Sequence, residues 1–237
     1  TIEINGANSV GVQKDTAGVT IAEGDNSAHI ILGSGAVNSN LVQQSGKGYT
    51  KPSIRNAGLI KVNDNFTIDG FNMIIEPDLT SHKAEAYVDS LGENYMFVVN
   101  NTYLDVKGDL TVSASDTIII MPTFTKGTSA NVYKLENAIT AGGQIKLTDG
   151  KTNIKSGSLT WEITPVDTTN GYDLYAQKID YDNFTSGLWY EDFGRALDEK
   201  YLTPEGEYER KEIFEKIDTI TNEKDFRTAM ASLAGDI

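Results

Sequence analysis

Few side chains in this sequence are spaced for chemistry. His29 lies near Asp25 and Ser27, superficially a Ser/His/Asp set. A working triad also needs a buried orienting acid and an oxyanion hole, and no Gly-x-Ser-x-Gly elbow occurs. The set reads as a solvated turn. His82 sits in the polar run Thr80-Ser81-His82-Lys83 with no second metal ligand spaced near it. Gly46-Lys47-Gly48 lacks the glycine spacing and the following Ser/Thr of a phosphate loop. Repeated Gly-Gly-x-Gly-x-Asp calcium motifs do not occur. Lys107-Gly108-Asp109 resembles an integrin tripeptide only loosely and reads as a strand turn. Asn65-Phe66-Thr67, Asn100-Asn101-Thr102 and Asn183-Phe184-Thr185 are sequons, relevant only in a eukaryotic secretory host.

Carboxylates are the remaining chemistry. Asp64, Asp69, Asp105, Asp109 and Asp116 are numerous enough for the acid pair of a glycoside hydrolase. At turns, however, Asp is first a turn former. A lyase acting on acidic sugars needs cations, and Arg55 is the one arginine of residues 1–187. The reading is therefore non-enzymatic, with no catalytic residue, metal or cofactor expected. Ligand contacts, if this segment makes them, are expected at Tyr87, Tyr95 and Tyr103.

The whole chain is 237 residues with 20 Lys+Arg against 34 Asp+Glu, a formal charge of −14. That field repels phosphate and argues against nucleic acid or anionic membrane as partner. With no Cys, disulfide scaffolds and Cys-ligated metal sites are excluded. No run approaches the ~20 apolar residues of a membrane-spanning helix. The sequence opens on Thr1 without an initiator Met or signal peptide, as an excised fragment would.

Composition divides the chain near residue 187. Residues 1–187 hold 19 of the 22 Gly; residues 188–237 hold 20 charged side chains in 50 residues. The first region is rich in Val, Ile, Thr, Asn, Ser and Gly and reads as short strands between turns. It also repeats. Ile60-Lys61-Val62 through Phe66-Thr67-Ile68 aligns with Leu104-Asp105-Val106 through Leu110-Thr111-Val112 at a shift of 44 residues. Met73-Ile74-Ile75 then aligns with Thr117-Ile118-Ile119, and Ile145 to Asp149 restates Ile60 to Asp64. Strand-only repeats of this length predict an all-β solenoid, a parallel β-helix over residues 1–185. The competing architecture is a β-sandwich. Two stretches interrupt the pattern, near 77–95 and 122–144. Ala84 to Leu91 reads as a short helix or loop excursion, and excursions are where binding loops sit.

Residues 186–237 read as helices. Ser186 is placed to cap a first, with Trp189, Phe193, Ala196/Leu197 and Tyr201 as its stripe. Thr203-Pro204-Glu205 opens a second, whose buried face is Ile213, Phe214, Ile217 and Ile220. Asn222 with Asp225 caps a third, with Phe226, Met230, Leu233 and Ile237 along its face. Trp161, Tyr172, Leu174, Trp189 and Phe193 are expected to cover the end of the solenoid beneath these helices.

The C-terminal stretch carries a resemblance. Tyr181-Asp182-Asn183-Phe184-Thr185-Ser186-Gly187-Leu188-Trp189-Tyr190-Glu191-Asp192-Phe193-Gly194-Arg195-Ala196-Leu197-Asp198 resembles the end of the passenger region in large type Va autotransporter adhesins of fusobacteria. Ile217 to Arg227 and Met230 to Gly235 resemble the helical junction before their translocator barrel. The likeness covers about residues 160–237. It implies a right-handed parallel β-helix with a short helical cap, and display on the outer membrane and cell surface. It implies a downstream outer-membrane barrel outside this chain, and a host or bacterial surface protein or glycan bound by the full passenger. This segment would then be the membrane-proximal stem and folding nucleus. The absence of Cys agrees with export of an unfolded chain through an oxidising periplasm.

Overall fold

The computed structural model describes residues 2–4, 29–32, 53–80, 85–88, 95–124, 130–201 and 213–235. Among these, sixteen strands precede four helices. In chain order the strands are β1 (Ile2–Ile4), β2 (His29–Leu32), β3 (Ser53–Asn56), β4 (Leu59–Val62), β5 (Phe66–Ile68), β6 (Asn72–Ile75), β7 (Glu85–Val88) and β8 (Tyr95–Asn100). There follow β9 (Leu104–Val106), β10 (Leu110–Val112), β11 (Ile118–Ile120), β12 (Val132–Ala141), β13 (Ile145–Leu147), β14 (Ile154–Ser156), β15 (Trp161–Asp167) and β16 (Gly171–Lys178). The helices are α1 (Asp182–Thr185), α2 (Glu191–Lys200), α3 (Glu215–Asp218) and α4 (Glu223–Leu233).

Three sheets form. The largest runs β1-β2-β4-β9-β12-β16-β15, with β8 also on β12 and β7 on β8. The others run β13-β10-β5 and β14-β11-β6-β3, and both are wholly parallel. The 44-residue repeat is realised as parallel pairing: Ile60 faces Leu104, Val62 faces Val106, Phe66 faces Leu110 and Ile68 faces Val112. All eight side chains are buried, because equal register puts like apolar residues on one inner row.

The expectation of a parallel β-helix over 1–185 is not met. The largest sheet is mixed, and no closed solenoid forms among the described residues. The cause is β12, which runs ten residues. One of its edges takes β8 and then β9 in parallel; the other takes β16 antiparallel, and β16 returns as a hairpin to β15. A second antiparallel pair, β7–β8, lies where a helix or loop was expected. The stretch 122–144, read as irregular, contains β12 itself. Two repeat alignments also shift. Ile145 pairs with Leu110, while Ile139 stacks on Leu104. Met73 pairs with Ile118 rather than Thr117, since the turn before β11 holds one extra residue and Ser115 adopts φ 65° there.

One core joins strands to helices, running from Ile54 through the sheets to Phe226 and Met230. Asn222 caps α4 as its spacing predicts, its side chain accepting the Asp225 N–H at 2.9 Å. Several sequence readings lie outside the described residues: Asp25, Ser27, His82, Gly46-Lys47-Gly48, Thr203-Pro204-Glu205 and Ile237.

Candidate binding surface

All three sheets end on neighbouring segments, β13, β14 and β15, and two recesses open there. The first is a polar recess of about 370 Å³. Its walls are Gly143-Gln144-Ile145 and the turn between β15 and β16, Asp167 to Tyr172. The turn closes through the Thr168 N–H donating to Gly171 O at 2.9 Å. Only glycine fits at 171, because a Cβ there would sit 1.8 Å from Ile139 O. Gln144 is fixed from below, its N–H donating to Asp109 Oδ1 at 2.7 Å. Tyr172 forms the inner wall, and burial raises its phenol above the usual value. Amide, carboxylate and hydroxyl groups beside one aromatic ring are the chemistry that holds a sugar or a polar peptide.

The second recess is a groove of about 880 Å³ along β14 and β15. Ile154, Leu159, Trp161, Ile163, Pro165 and Ile179 give it an apolar floor, and Lys151 and Lys155 stand on its rim. An exposed ion pair, Lys151 to Asp167 at 2.7 Å, divides the two recesses.

Above the sheets lies a closed polar cluster. Asp218 is fully buried and accepts hydrogen bonds from Thr160 Oγ1 (2.8 Å), Tyr181 OH (2.8 Å) and Tyr201 OH (2.6 Å). Lys178 is buried beside it, 2.9 Å from Asp198 and 3.8 Å above the Tyr181 ring. Asp198 also accepts the Tyr181 and Asp182 N–H groups at 2.9 Å. Burial pushes the Asp218 carboxyl above the ordinary carboxylate range, opposed by Lys178 and the three hydroxyls. Burial, then the Asp218 charge, holds the Tyr181 phenol far above its usual value. Its centre, Asp218 with Thr160, Tyr181 and Tyr201, is sealed from solvent. It ties β16 and the turn before β15 to α2 and α3, and it works as a clamp.

Most of the acids weighed for catalysis accept a hydrogen bond from a neighbouring turn or strand. Asp64 accepts the Asn65 N–H, Asp105 the Thr140 hydroxyl, Asp109 the Gln144 N–H and Asp116 the Gly70 N–H, all between 2.7 and 2.9 Å. No group of three or more His, Asp or Glu among the described residues is arranged to hold a metal.

Of the three anticipated ligand tyrosines, one lies away from any surface. Tyr103 is 1% exposed in the core, its phenol pushed up to about 12 by burial. Tyr87 and Tyr95 lie on the paired strands β7 and β8, opposite Met96 and Val88; their side chains lie outside the described residues. Of the anticipated cover, Trp161, Tyr172 and Leu174 are in the core and Phe193 packs half-buried against it. Trp189 does not cover the sheets. It is 64% exposed, lying one residue before Tyr190, which takes the buried position. The helix expected after Ser186 is α2, which begins only at Glu191, and this displaces Trp189 from its stripe. Sequence reasoning missed Asp218, although its place four residues after buried Phe214 put an acid on an apolar helix face.

Residues 92–180 match the family model of the BigA β-sandwich domain. The matched stretch runs from β8 to β16 and contains the polar recess and nearly all of the groove. It supports a surface adhesin-like protein. It also stands against the parallel β-helix, since the model it matches is a sandwich. No curated protein and no solved structure matches significantly. No helix among the described residues is long and apolar enough to cross a membrane.

Proposed function

We propose that this chain is a surface-exposed segment of a bacterial adhesin, acting by display and binding rather than by catalysis. The β-sandwich match at 92–180 carries this reading. In its finer form the segment is the membrane-proximal stem and folding nucleus of a type Va autotransporter passenger. Its downstream barrel would sit in the outer membrane, and the full passenger would engage a host or bacterial surface protein or glycan. The resemblance over Tyr181–Asp198 and the absence of Cys support the finer form. So does the Asp218 clamp, which makes β15, β16 and the helices one local folding unit. Surface proteolysis of cells producing the full-length protein tests it. Wild type should yield protease-accessible passenger, and Asp218→Ala should retain it inside. Equal surface exposure of the two would remove the nucleus role.

The polar recess favours a second reading, in which this segment itself contacts a glycan or protein. Saturable binding of the isolated chain to host cells, lost in Asn170→Ala and Asp167→Ala together, would support it; unchanged binding would oppose it.

A further inference from the structure

The groove beside β15 is bounded by backbone chemistry as well as side chains. The Ile179 N–H donates to Thr160 O and the Thr168 N–H to Gly171 O. Antiparallel alternation then turns the even residues of β15 toward β16 and the odd ones, Trp161, Ile163, Pro165 and Asp167, outward. No strand pairs with this outer edge among the described residues. The edge is blocked at both ends. At one end the Leu159 N–H is taken by Ile220 O at 2.8 Å; at the other Pro165 has no N–H to give. Between them the Trp161 and Ile163 backbones face the groove.

The facing wall has the same character. The Gly157 N–H donates to Ile120 O, so Lys155 turns its backbone toward β11, and Ile154 and Ser156 turn outward. The indole Nε1 of Trp161, on β15, is buried without an acceptor among the described residues. Natural proteins rarely leave a buried donor unmatched. Charge selects among the candidates for this place. The chain is at −14, yet residues 144–158 carry Lys146, Lys151 and Lys155 against Asp149 alone. Lys151 is engaged by Asp167, while Lys155 makes no ion pair among the described residues. Glu162 lines the groove but is exposed on the opposite side of the strand from Trp161 and Ile163.

We propose that the groove between β14 and β15 takes a short extended peptide segment bearing an acidic side chain, added as a strand to the outer edge of β15 at Trp161 and Ile163. Backbone pairing supplies the hold, the apolar floor takes alternate side chains, and Lys155 meets the acid. At about 3.3 Å per residue the open edge admits about three paired residues. This inference does not rest on the adhesin reading, which concerns where the chain is displayed.

The test uses the full 237-residue chain carrying Trp189→Phe, so that Trp161 is the sole indole. The probes are blocked peptides of about six alternating Val and Thr residues. One begins with Glu, one begins with Lys, and one begins with Glu but has a central Pro. Amide NMR reads the Trp161 and Ile163 backbone signals and the Trp161 indole. The Glu peptide should shift these signals saturably. The Lys peptide should bind about fivefold more weakly, and the Pro peptide should not bind. Ile163→Pro should abolish the shifts. If that variant does not fold, Lys155→Glu, at an exposed position, should reverse the preference between the Glu and Lys peptides. Equal binding of the two, shifts confined to residues outside the groove, or no binding would overturn the proposal. So would the same shifts arising from raising protein concentration alone, which would make a second copy the occupant.

Discussion

Replacing Asp218 with Ala removes the centre of the clamp between sheets and helices. Three hydroxyl donors lose their acceptor at once: Thr160, Tyr181 and Tyr201. Each buried donor left unmatched costs about 1–3 kcal/mol. Part of that is recovered where a hydroxyl can turn to a neighbour, as Thr160 can toward Ser158 at 3.4 Å. Lys178 keeps its Asp198 partner, so no bare charge is stranded. The expected loss is about 3–5 kcal/mol, the lower part of the range for three unmatched donors because some of it is recovered. Tyr201→Phe removes one donor and leaves the carboxylate two, and should cost about 1–2 kcal/mol. Urea unfolding, followed by far-UV circular dichroism and by Trp161 fluorescence in a Trp189→Phe background, measures both. The slope with urea should be unchanged, so that midpoints report stability. A loss below about 1 kcal/mol for Asp218→Ala would refute the clamp.

Three further outcomes follow from the same geometry. Asp218 is raised in the folded protein above its unfolded value of 3.8, so between those two values the folded state binds the proton and the unfolded state does not. The stability of wild type relative to Asp218→Asn should therefore fall as pH rises through that window; paired urea titrations from about pH 4 to about pH 7 check it, and a rising difference would contradict it. Trp189→Ala should change stability by no more than about 0.5 kcal/mol, since the ring is mostly in solvent, whereas Trp161→Ala, buried against Phe124 and Tyr133, should cost about 3–5 kcal/mol; thermal unfolding separates them. Gly171→Ala forces a Cβ against the Ile139 carbonyl and should destabilise by about 1–3 kcal/mol or more, measured the same way, with amide signals of Asp167 to Tyr172 displaced.

The 44-residue repeat was legible because apolar residues at equal spacing fall on one inner row, and Ile60–Leu104 and Phe66–Leu110 do pair. What the repeat could not convey was closure. Strand length and partner direction are set by tertiary pairing, and β12 carries a bulge at Asn137, φ 54°, which lets it serve β8, β9 and β16 together. Side chains alternate along parallel and antiparallel strands alike, so the turn of β16 against β12 left no distinct mark. The Asn222 cap was readable since it depends on neighbours three residues apart. Trp189 was misplaced because stripe spacing holds only where the helix has begun. The polar recess and the Asp218 cluster escaped notice because each joins segments distant in sequence, such as Thr160 and Asp218.

The central claim is that the chain stands on the cell surface as part of an adhesin. Fab fragments raised against the 237-residue chain can be applied to intact and permeabilised cells that produce it. The account predicts labelling of intact cells and reduced attachment of those cells to host cells or partner bacteria. Labelling only after permeabilisation would contradict it.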